Sequence, residues 1–290
     1  MAPSSARRFI LGRLLLVSLA LALVMGLLRE FENRFIFFPP RFPEGFSSPE
    51  ACGLQLEEVW IVARDGVRLN AWYLSQPAGQ KAILWLHGNA ENIGMGLDHM
   101  RAFSKLGINV LALDYRGYGK SQGSPDEAGV YADGDAAYDY LVHYRQIEPR
   151  NLFLYGHSLG GAVAIDLASR RDCGGLIAES TFTTVGDMAR RMFHLPLTEY
   201  LPRSRFDSRG KIARVRAPVL VIHGTRDRVV PFWMGKQLFD AAPQPRSFLA
   251  IEGAEHDDPY IVGGDVYWQR LAQFVDGGIQ PGTGGIQTNK

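Results

Sequence analysis

Short apolar runs and segments of helical periodicity alternate along the chain from residue 56 to residue 276. The first two runs lie in VWIVARDGVRLNAWYL and meet at Asp65-Gly66, a pair typical of a β-hairpin turn. Six more apolar runs follow, at 82–87, 108–115, 151–157, 175–180, 218–224 and 247–253. Helical patterns lie near 97–106, 126–145, 158–170, 232–241 and 260–276. Continuously apolar strands separated by helices predict an α/β domain with a mostly parallel, doubly wound sheet.

Two further segments depart from this alternation. Residues 181–213 form a longer connection whose helical pieces are broken at Pro196 and Pro202, and we interpret it as a small helical cap over the carboxyl edge of the sheet. Residues 277–290 repeat GGIQ and offer little to bury, which predicts a flexible tail without assigned chemistry. The α/β domain itself is predicted to span residues 56–276, with the cap inside it.

The amino terminus carries a long uncharged stretch, LLLVSLALALVMGLL, at residues 14–28. Extended back to Phe9, it reaches the about 20 residues of a spanning helix if Arg13 snorkels to the headgroups. A cleavable signal peptide is the alternative, although Val24-Met25-Gly26 matches its Ala-x-Ala cleavage pattern poorly. Residues 1–30 are therefore predicted to be a cytoplasmic tip and a single transmembrane signal anchor that contacts the lipid bilayer through residues 9–28.

The orientation of this predicted anchor rests on its flanking charges. The arginines are nearly balanced: Arg7, Arg8 and Arg13 lie before or within it, and Arg29, Arg34 and Arg41 follow it. The short basic amino terminus favours the cytoplasmic side, which puts the domain at 56–276 on the non-cytoplasmic side of the membrane. Secretion after cleavage is the alternative. Residues 31–55, rich in proline and aromatic side chains, are predicted to be a connector.

Composition narrows the function classes. With 46% hydrophobic and 21% charged residues and a net charge of +1, the chain is globular and has no positive field to attract nucleic acid. Its two cysteines, Cys52 and Cys173, form no Cys-x-x-Cys pair and are too few for a four-cysteine zinc site. The sequence is compatible with a disulfide between Cys52 and Cys173 and with two free thiols. We expect neither a metal nor a cofactor, and composition gives no oligomeric state.

The apolar residues NLFLY at 151–155 run directly into Gly156-His157-Ser158-Leu159-Gly160, and a helical pattern follows. This is Gly-x-Ser-x-Gly in the strand-turn-helix setting of a nucleophile elbow. A serine at a helix N-cap would explain Ser158 but not the two glycines that flank it. Ser158 is therefore the candidate nucleophile.

A serine nucleophile needs a base and an acid that orients the base, in the chain order Ser, acid, His. Asp227 follows the strand predicted at 218–224, and His256 follows the strand predicted at 247–253. The carboxyl ends of parallel strands meet at one edge of a sheet, where chemistry collects. Glu179, at the end of another strand, is an alternative acid. The sequence predicts His256 as base and Asp227 as acid.

Acyl transfer also needs donors for the oxyanion. The backbone N–H of Leu159, the residue after the nucleophile, is the first candidate, and that of Asn89 in HGNAENIG is the second, with Ala90 as a fallback. The glycine-rich segment DYRGYGKSQG at 114–123 lacks a P-loop ending, and we interpret it as a structural loop that shapes the site.

The motifs HGNAENIG, DYRGYGKS, GHSLGGAVAI, HGTRDRVVP and GAEHDD, in this order, resemble the α/β-hydrolase superfamily. More narrowly, the chain resembles the membrane-anchored α/β-hydrolase domain-containing serine hydrolases with an amino-terminal signal anchor. The resemblance implies the α/β-hydrolase fold, a Ser158, Asp227 and His256 triad, and Asn89 and Leu159 as oxyanion donors. Relatives that remove fatty acyl groups from protein cysteines carry an amino-terminal cysteine cluster, which this chain lacks.

The expected activity is hydrolysis of an acyl ester or thioester through an acyl-enzyme on Ser158, of the carboxylesterase or acyl thioesterase type. A serine peptidase or amidase and a catalytically inactive binding module are the alternatives. The cap concentrates apolar side chains above the edge that carries Ser158, and an apolar wall is expected around an acyl chain. The candidate substrate-binding residues are Met188, Met192, Phe193 and Leu195.

Overall fold

The structure, a computed structural model, describes residues 33–34, 36–44, 53–77, 79–193, 204–277 and 286–288. The chain divides into two compact units, Met1–Phe38 and Pro39–Lys290. In the first unit, the N–H of Phe37 donates to the carbonyl of Asn33 at 2.8 Å. The predicted anchor at 9–28 lies outside the described residues. Within those described, we find no helix with the length and apolarity that a membrane crossing requires.

The second unit is built on one sheet, to which the described residues contribute nine strands. They are β1 Glu57–Val62, β2 Arg68–Leu74, β3 Ala82–Leu86, β4 Asn109–Leu113, β5 Leu152–His157, β6 Gly175–Glu179, β7 Val219–Gly224, β8 Arg246–Ile251 and β9 Ile286–Thr288. Their order across the sheet is β1-β2-β4-β3-β5-β6-β7-β8-β9. β2 is antiparallel to both β1 and β4, and the other neighbours are parallel. The predicted mostly parallel sheet is confirmed.

Helices connect the parallel strands. They are α1 Leu97–Lys105, α2 Glu127–Asp139, α3 Leu159–Ala168, α4 Val185–Phe193, α5 Ser208–Ile212, α6 Phe232–Ala241, α7 Pro259–Val262 and α8 Gly264–Val275. Short 3₁₀ turns lie at Ile93–Gly96 and Pro149–Asn151, and a π-helical turn at Tyr140–Tyr144 continues α2. The helical pattern at 260–276 is divided between α7 and α8, because Gly264 adopts a φ of +49° at the junction.

The central strands are apolar throughout because both faces of the sheet are covered. Every residue of β3, β4, β5, β6 and β7 is buried. Successive side chains point to opposite faces, so Phe153, Tyr155 and Ile177 join one large core cluster that also includes residues of α1 and α8. The same alternation decides which way polar residues at the strand ends point.

The tail differs from its sequence-based prediction at one place. Ile286–Thr288 form β9, which pairs in parallel with β8 at Phe248–Ala250. An edge strand presents unpaired N–H and C=O groups, and an extended segment can pair with them without burying apolar side chains. Residues 278–285, 289 and 290 lie outside the described residues.

Residues 39–44 run along the loop at 114–123. The N–H of Gly119 donates to Pro40 at 2.9 Å, and the N–H of Phe42 donates to Gly119 at 3.1 Å. The Arg41 guanidinium donates to the carbonyls of Ser121 and Gly123 at 3.1 and 3.2 Å. These bonds lie within the second unit and do not involve residues 1–30.

We therefore expect that a protein lacking residues 1–30 folds, stays in solution and keeps its activity. Removal of residues 1–44 should lower the unfolding midpoint, because each lost hydrogen bond stabilises the fold by about 1 kcal/mol. Thermal unfolding and active-site labelling of both truncations measure the effect. Failure of the shorter truncation to fold would show that the first 30 residues contribute to the core.

Candidate active site

Ser158 lies on the sharp turn between β5 and α3. Its backbone angles are φ +53° and ψ −113°, a conformation that costs a non-glycine residue about 1–3 kcal/mol. The N–H of Ser158 donates to the carbonyl of Glu179 at 2.9 Å, which ties the turn to β6. The strained turn places the hydroxyl at the carboxyl edge of the sheet and at the start of a helix.

The glycines around Ser158 are required by close backbone contacts. A Cβ on Gly156 would overlap the backbone of Gly160, and a Cβ on Gly160 would overlap the carbonyl of Leu86. At Gly161 the obstacle is a side chain, because a Cβ there would overlap the Thr181 hydroxyl. The predicted elbow is thus packed too tightly for any side chain but that of the serine and its two immediate neighbours.

The three residues predicted as nucleophile, base and acid meet in space. Ser158 Oγ lies 3.1 Å from His256 Nε2, and His256 Nδ1 lies 2.8 Å from Asp227 Oδ2. A carboxylate accepts hydrogen bonds, so the proton of the neutral imidazole belongs on Nδ1. Nε2 is then free to accept the proton of the serine hydroxyl. All three side chains are buried at the ends of β5, β7 and β8.

Asp227 has hydrogen-bond partners besides His256. Its Oδ1 accepts hydrogen bonds from the N–H groups of Val229 and Val230 at 2.9 and 2.8 Å. Its Oδ2 also lies 3.3 Å from His223 Nε2. Burial by itself would raise the pKa of Asp227, but the hydrogen bonds from His223 and His256 outweigh it and hold the pKa well below its usual range. The carboxylate therefore stays ionised at neutral pH.

Glu179, the alternative acid, points away from His256. It shares a sheet face with Ile177, and its Oε2 accepts hydrogen bonds from Tyr155 and Tyr267 at 2.9 and 2.5 Å. Burial raises the pKa of Glu179, opposed by the attraction of His157 and the two tyrosine hydroxyls. The geometry therefore leaves Asp227 as the acid in contact with His256.

The two predicted oxyanion donors lie at adjoining backbone segments. Leu159 is the first residue of α3, so its N–H has no acceptor within the helix. Gly160 abuts the carbonyls of Leu86 and His87, at the start of the loop that carries Asn89. The Asn89 side chain accepts a hydrogen bond from the Tyr118 hydroxyl at 2.7 Å, which links this loop to the segment at 114–123. Ala90, the fallback, is exposed.

The sequence and the fold both have known counterparts. The α/β hydrolase domain-containing protein WAV2 of Arabidopsis thaliana is 32% identical over 276 residues, covering 87% of this chain and 90% of that protein. Protein bem46 of Schizosaccharomyces pombe is 32% identical over 275 residues, covering 90% and 91%. This chain is an α/β-hydrolase. The predicted superfamily is confirmed, while the membrane-anchored subgroup stays a prediction.

A family description and a solved structure extend this result. The family Hydrolase_4, described as serine aminopeptidase S33, matches residues 77–213 of the hydrolase. The esterase Pf2001 of Pyrococcus furiosus superimposes with a TM-score of 0.71 at 22% identity, covering 84% of this chain and 98% of that one. At that identity the likeness shows the fold alone. Hydrolase chemistry thus rests on the family, and the bond cleaved does not follow from it.

The segment at 181–213, predicted to form a cap, is described in part. Its described residues include α4 and α5, and Thr181, at its start, contacts Gly161 of α3. Met188 is half-buried and Met192 is 67% exposed. The Phe193 side chain and the whole of Leu195 lie outside the described residues, as do Pro196 and Pro202. The substrate-binding role of these cap residues stays a prediction.

The segment at 114–123 makes contacts that favour a structural role. Arg116 forms ion pairs with Asp133 at 2.8 Å and Asp65 at 2.7 Å, and the N–H of Arg116 donates to Asp133. Asp114 accepts from the N–H of Ile93 at 2.9 Å. These bonds join the segment to α2, to the first hairpin and to the turn after β3, as expected for a loop that shapes the site.

Sequence reasoning missed two residues near the triad, Glu91 and His223, and gave His157 no role. His223 lies at the end of β7, and its position four residues before Asp227 brings its Nε2 near that carboxylate. Glu91 lies 3.0 Å from His157 Nδ1. The signal available for Glu91 was an acidic residue in the loop expected to bind the oxyanion.

Three side chains near Ser158 have atoms close enough to surround a cation, those of His157, His256 and Asp257. The ring nitrogens of the two histidines already face hydrogen-bond partners. Both ring nitrogens of His256 face triad partners, and His157 Nε2 faces the carbonyl of His256 at 3.1 Å. A nitrogen that donates a proton to an acceptor has no lone pair for a metal. The cluster therefore fits hydrogen bonding better than metal binding.

Proposed function

We propose that the protein is a serine hydrolase that cleaves an acyl ester or thioester through an acyl-enzyme on Ser158. The observation that carries this proposal is the continuous chain of hydrogen bonds from Asp227 through His256 to Ser158, at a strained turn that opens a helix. An inactive binding module would have no use for a strained serine held against a correctly oriented base.

The mechanism follows from this geometry. Ser158 Oγ attacks the acyl carbonyl while its proton moves to His256 Nε2, and Asp227 stabilises the imidazolium that forms. The N–H groups of Leu159 and Asn89 would donate to the oxyanion. His256 then gives the proton to the departing alkoxide or thiolate, leaving an acyl-enzyme. A water molecule, deprotonated by the same histidine, releases the acid and restores Ser158.

A serine peptidase is the second candidate, and the description of the matched family favours it. The two activities differ in the leaving group, because an amide nitrogen must be protonated as it departs, whereas a thiolate or an activated oxyanion such as p-nitrophenolate can leave without help from the acid. A peptidase of this type would hydrolyse an aminoacyl anilide as well as an ester.

The test is labelling with a fluorophosphonate, followed by hydrolysis of matched p-nitrophenyl esters, acyl thioesters and aminoacyl p-nitroanilides. We expect the wild type to be labelled, Ser158→Ala to remain unlabelled, and esters and thioesters to be hydrolysed in preference to anilides. An unlabelled wild type would contradict the serine mechanism. Preferred hydrolysis of the anilide would select the peptidase.

We also propose that residues 9–28 anchor the enzyme in the bilayer, with the catalytic domain on the non-cytoplasmic side. The support is the length and apolarity of this stretch together with its basic amino-terminal flank. Intact-mass analysis of the protein from membranes tests it. A mature chain that starts near residue 27 would show cleavage and favour secretion.

The cap is proposed to set acyl preference through Met188, Met192, Phe193 and Leu195. Replacement of Met192 and Phe193 with alanine should change the ratio of kcat/KM for short and medium acyl esters by roughly tenfold, within the ~1–3 kcal/mol that a hydrophobic contact controls. Thermal unfolding checks that the variant is folded. An unchanged chain-length profile would place the acyl pocket elsewhere.

A further inference from the structure

A buried charged pair lies beside the nucleophile and has no part in the proposed proton transfers. His157, the residue before Ser158, is buried, and its Nδ1 lies 3.0 Å from Glu91 Oε1. Glu91 Oε2 accepts the N–H of Gly88 at 2.8 Å. On the other side of the ring, His157 Nε2 lies 3.1 Å from the main-chain carbonyl of His256. These three contacts connect the Gly88 loop, Glu91, His157 and the His256 main chain in series, and we call this series the path across the elbow.

The path joins two loops that the proposed mechanism needs. Gly88 and Glu91 bracket Asn89, the candidate oxyanion donor, in the loop after β3. His256 lies in the loop after β8. β3 and β8 are separated in the sheet by β5, β6 and β7, so no strand pairing connects the two loops directly. His157 lies between them at the end of β5.

The hydrogen-bond partners define the protonation state of His157. One ring nitrogen faces a carboxylate and the other faces a carbonyl, and both partners only accept. Both nitrogens must therefore carry protons, which makes the ring an imidazolium. Burial lowers the pKa of His157, but attraction to Glu91 and the hydrogen bond to it outweigh burial and raise the pKa to about 10.

Other charged or titratable groups face His157 from neighbouring elements, namely Glu179 on β6, His99 on α1, and His256 and Asp257 after β8. The Asp257 oxygen is 4.0 Å away and its side chain is 78% exposed, so its attraction is screened by solvent. Glu179 is bound to two tyrosine hydroxyls. Glu91, at 3.0 Å from Nδ1, makes a shorter polar contact with the His157 ring than any of these groups.

We propose that Glu91 and His157 form a positioning pair that holds the His256 loop against the oxyanion loop. Asp227 sets the rotation of the His256 ring, and the pair fixes the main chain that carries this ring. A displacement of about 1 Å at a reacting group can cost on the order of 10²-fold in rate. The inference rests on the proposed serine hydrolase function, since it assigns the pair a role in that reaction.

The first test compares variants of the full-length protein on the ester that the wild type hydrolyses best. His157→Phe keeps a ring of similar size and removes both polar contacts, and Glu91→Ala removes the carboxylate. Each should lower kcat by about 10- to 100-fold with KM within about threefold, because substrate contacts remain while the reacting groups lose their alignment. His143→Phe and Glu148→Gln, at exposed positions, are matched controls that should keep wild-type kcat.

The conservative variant Glu91→Gln separates alignment from simple loss of packing. The glutamine oxygen can accept the N–H of Gly88, and its amide can donate to Nδ1 of a neutral His157. His157 Nε2 can then still donate to the carbonyl of His256. We expect Glu91→Gln to recover at least about tenfold of the activity lost in Glu91→Ala. Equal loss in both variants would overturn the positioning role.

The second test does not depend on turnover. NMR of protein labelled with ¹⁵N-histidine, with His157 assigned by its loss in His157→Phe, should show both ring nitrogens protonated at pH 8. In Glu91→Gln the same ring should be neutral at pH 8. Titration of the wild-type His157 near pH 6.5 would overturn the proposal.

The outcomes separate this inference from the proposed function. If fluorophosphonate labels the wild type, and His157→Phe and Glu91→Ala both turn over at the wild-type rate, the positioning pair is wrong while the serine hydrolase stands. If the wild type is not labelled, the proposed function fails, and the positioning role fails with it. If His157→Phe does not fold, the comparison of Glu91→Ala with Glu91→Gln decides.

Discussion

Replacement of either Ser158 or His256 with alanine should abolish measurable ester turnover. Without the hydroxyl no acyl-enzyme forms, and without the imidazole nothing removes its proton, because His256 Nε2 is the group within 3.1 Å of Ser158 Oγ. Residual catalysis of at most about 10³- to 10⁴-fold over water would remain from oxyanion stabilisation and substrate binding. Steady-state assays with a p-nitrophenyl ester, at enzyme concentrations high enough to detect the residual activity, measure the loss.

The double variant of Ser158 and His256 tests whether the two residues act in the same step. Residues that act in one proton transfer lose their contribution together, so Ser158→Ala with His256→Ala should be hardly slower than either single variant. Thermal unfolding of all three proteins should show that each is folded. A loss in the double variant equal to the product of the two single losses would contradict a shared mechanism.

Replacement of Asp227 with asparagine should lower kcat by about 10⁴-fold, as the same replacement does in serine proteases of the chymotrypsin type. The carboxylate accepts the Nδ1 proton at 2.8 Å, and the amide group of asparagine can instead donate to Nδ1. That favours the tautomer with its proton on Nε2, which cannot accept the serine proton. Because the pKa of Asp227 lies well below its usual range, the carboxylate is ionised throughout pH 6 to pH 8, and its own titration adds no pH dependence to the loss in this range.

Glu179→Gln is the matched control for this second prediction. Glu179 accepts hydrogen bonds from two tyrosines, and the glutamine oxygen can accept the same bonds. We expect kcat within about tenfold of the wild type, far above that of Asp227→Asn. If Glu179→Gln proved the more damaging change, Glu179 and not Asp227 would be the acid that orients the base.

The amino-acid sequence by itself determined the elements of this fold and predicted which serine, carboxylate and histidine come together at the edge of its sheet. The runs AILWL, NLFLY and PVLVI are apolar at every position because the strands are buried on both faces, and such runs are visible without knowledge of their neighbours. Ser158, Asp227 and His256 each directly follow or closely follow a strand. Parallel strands end at one edge, so position along the chain was enough to predict that the three residues meet.

Only the tertiary structure decided which way the polar side chains at that edge point. Glu179 and Asp227 both come at or after strand ends, yet the pleat directs Glu179 to Tyr155 and Tyr267, and the loop after β7 turns Asp227 to His256. The Glu91 to His157 contact likewise joins residues 66 positions apart in the sequence. Such contacts depend on strand order and on loop paths set by packing over the whole sheet. A pattern of apolar positions indicates whether a segment is buried. The partner of a buried charge depends on which distant segments the fold brings next to it.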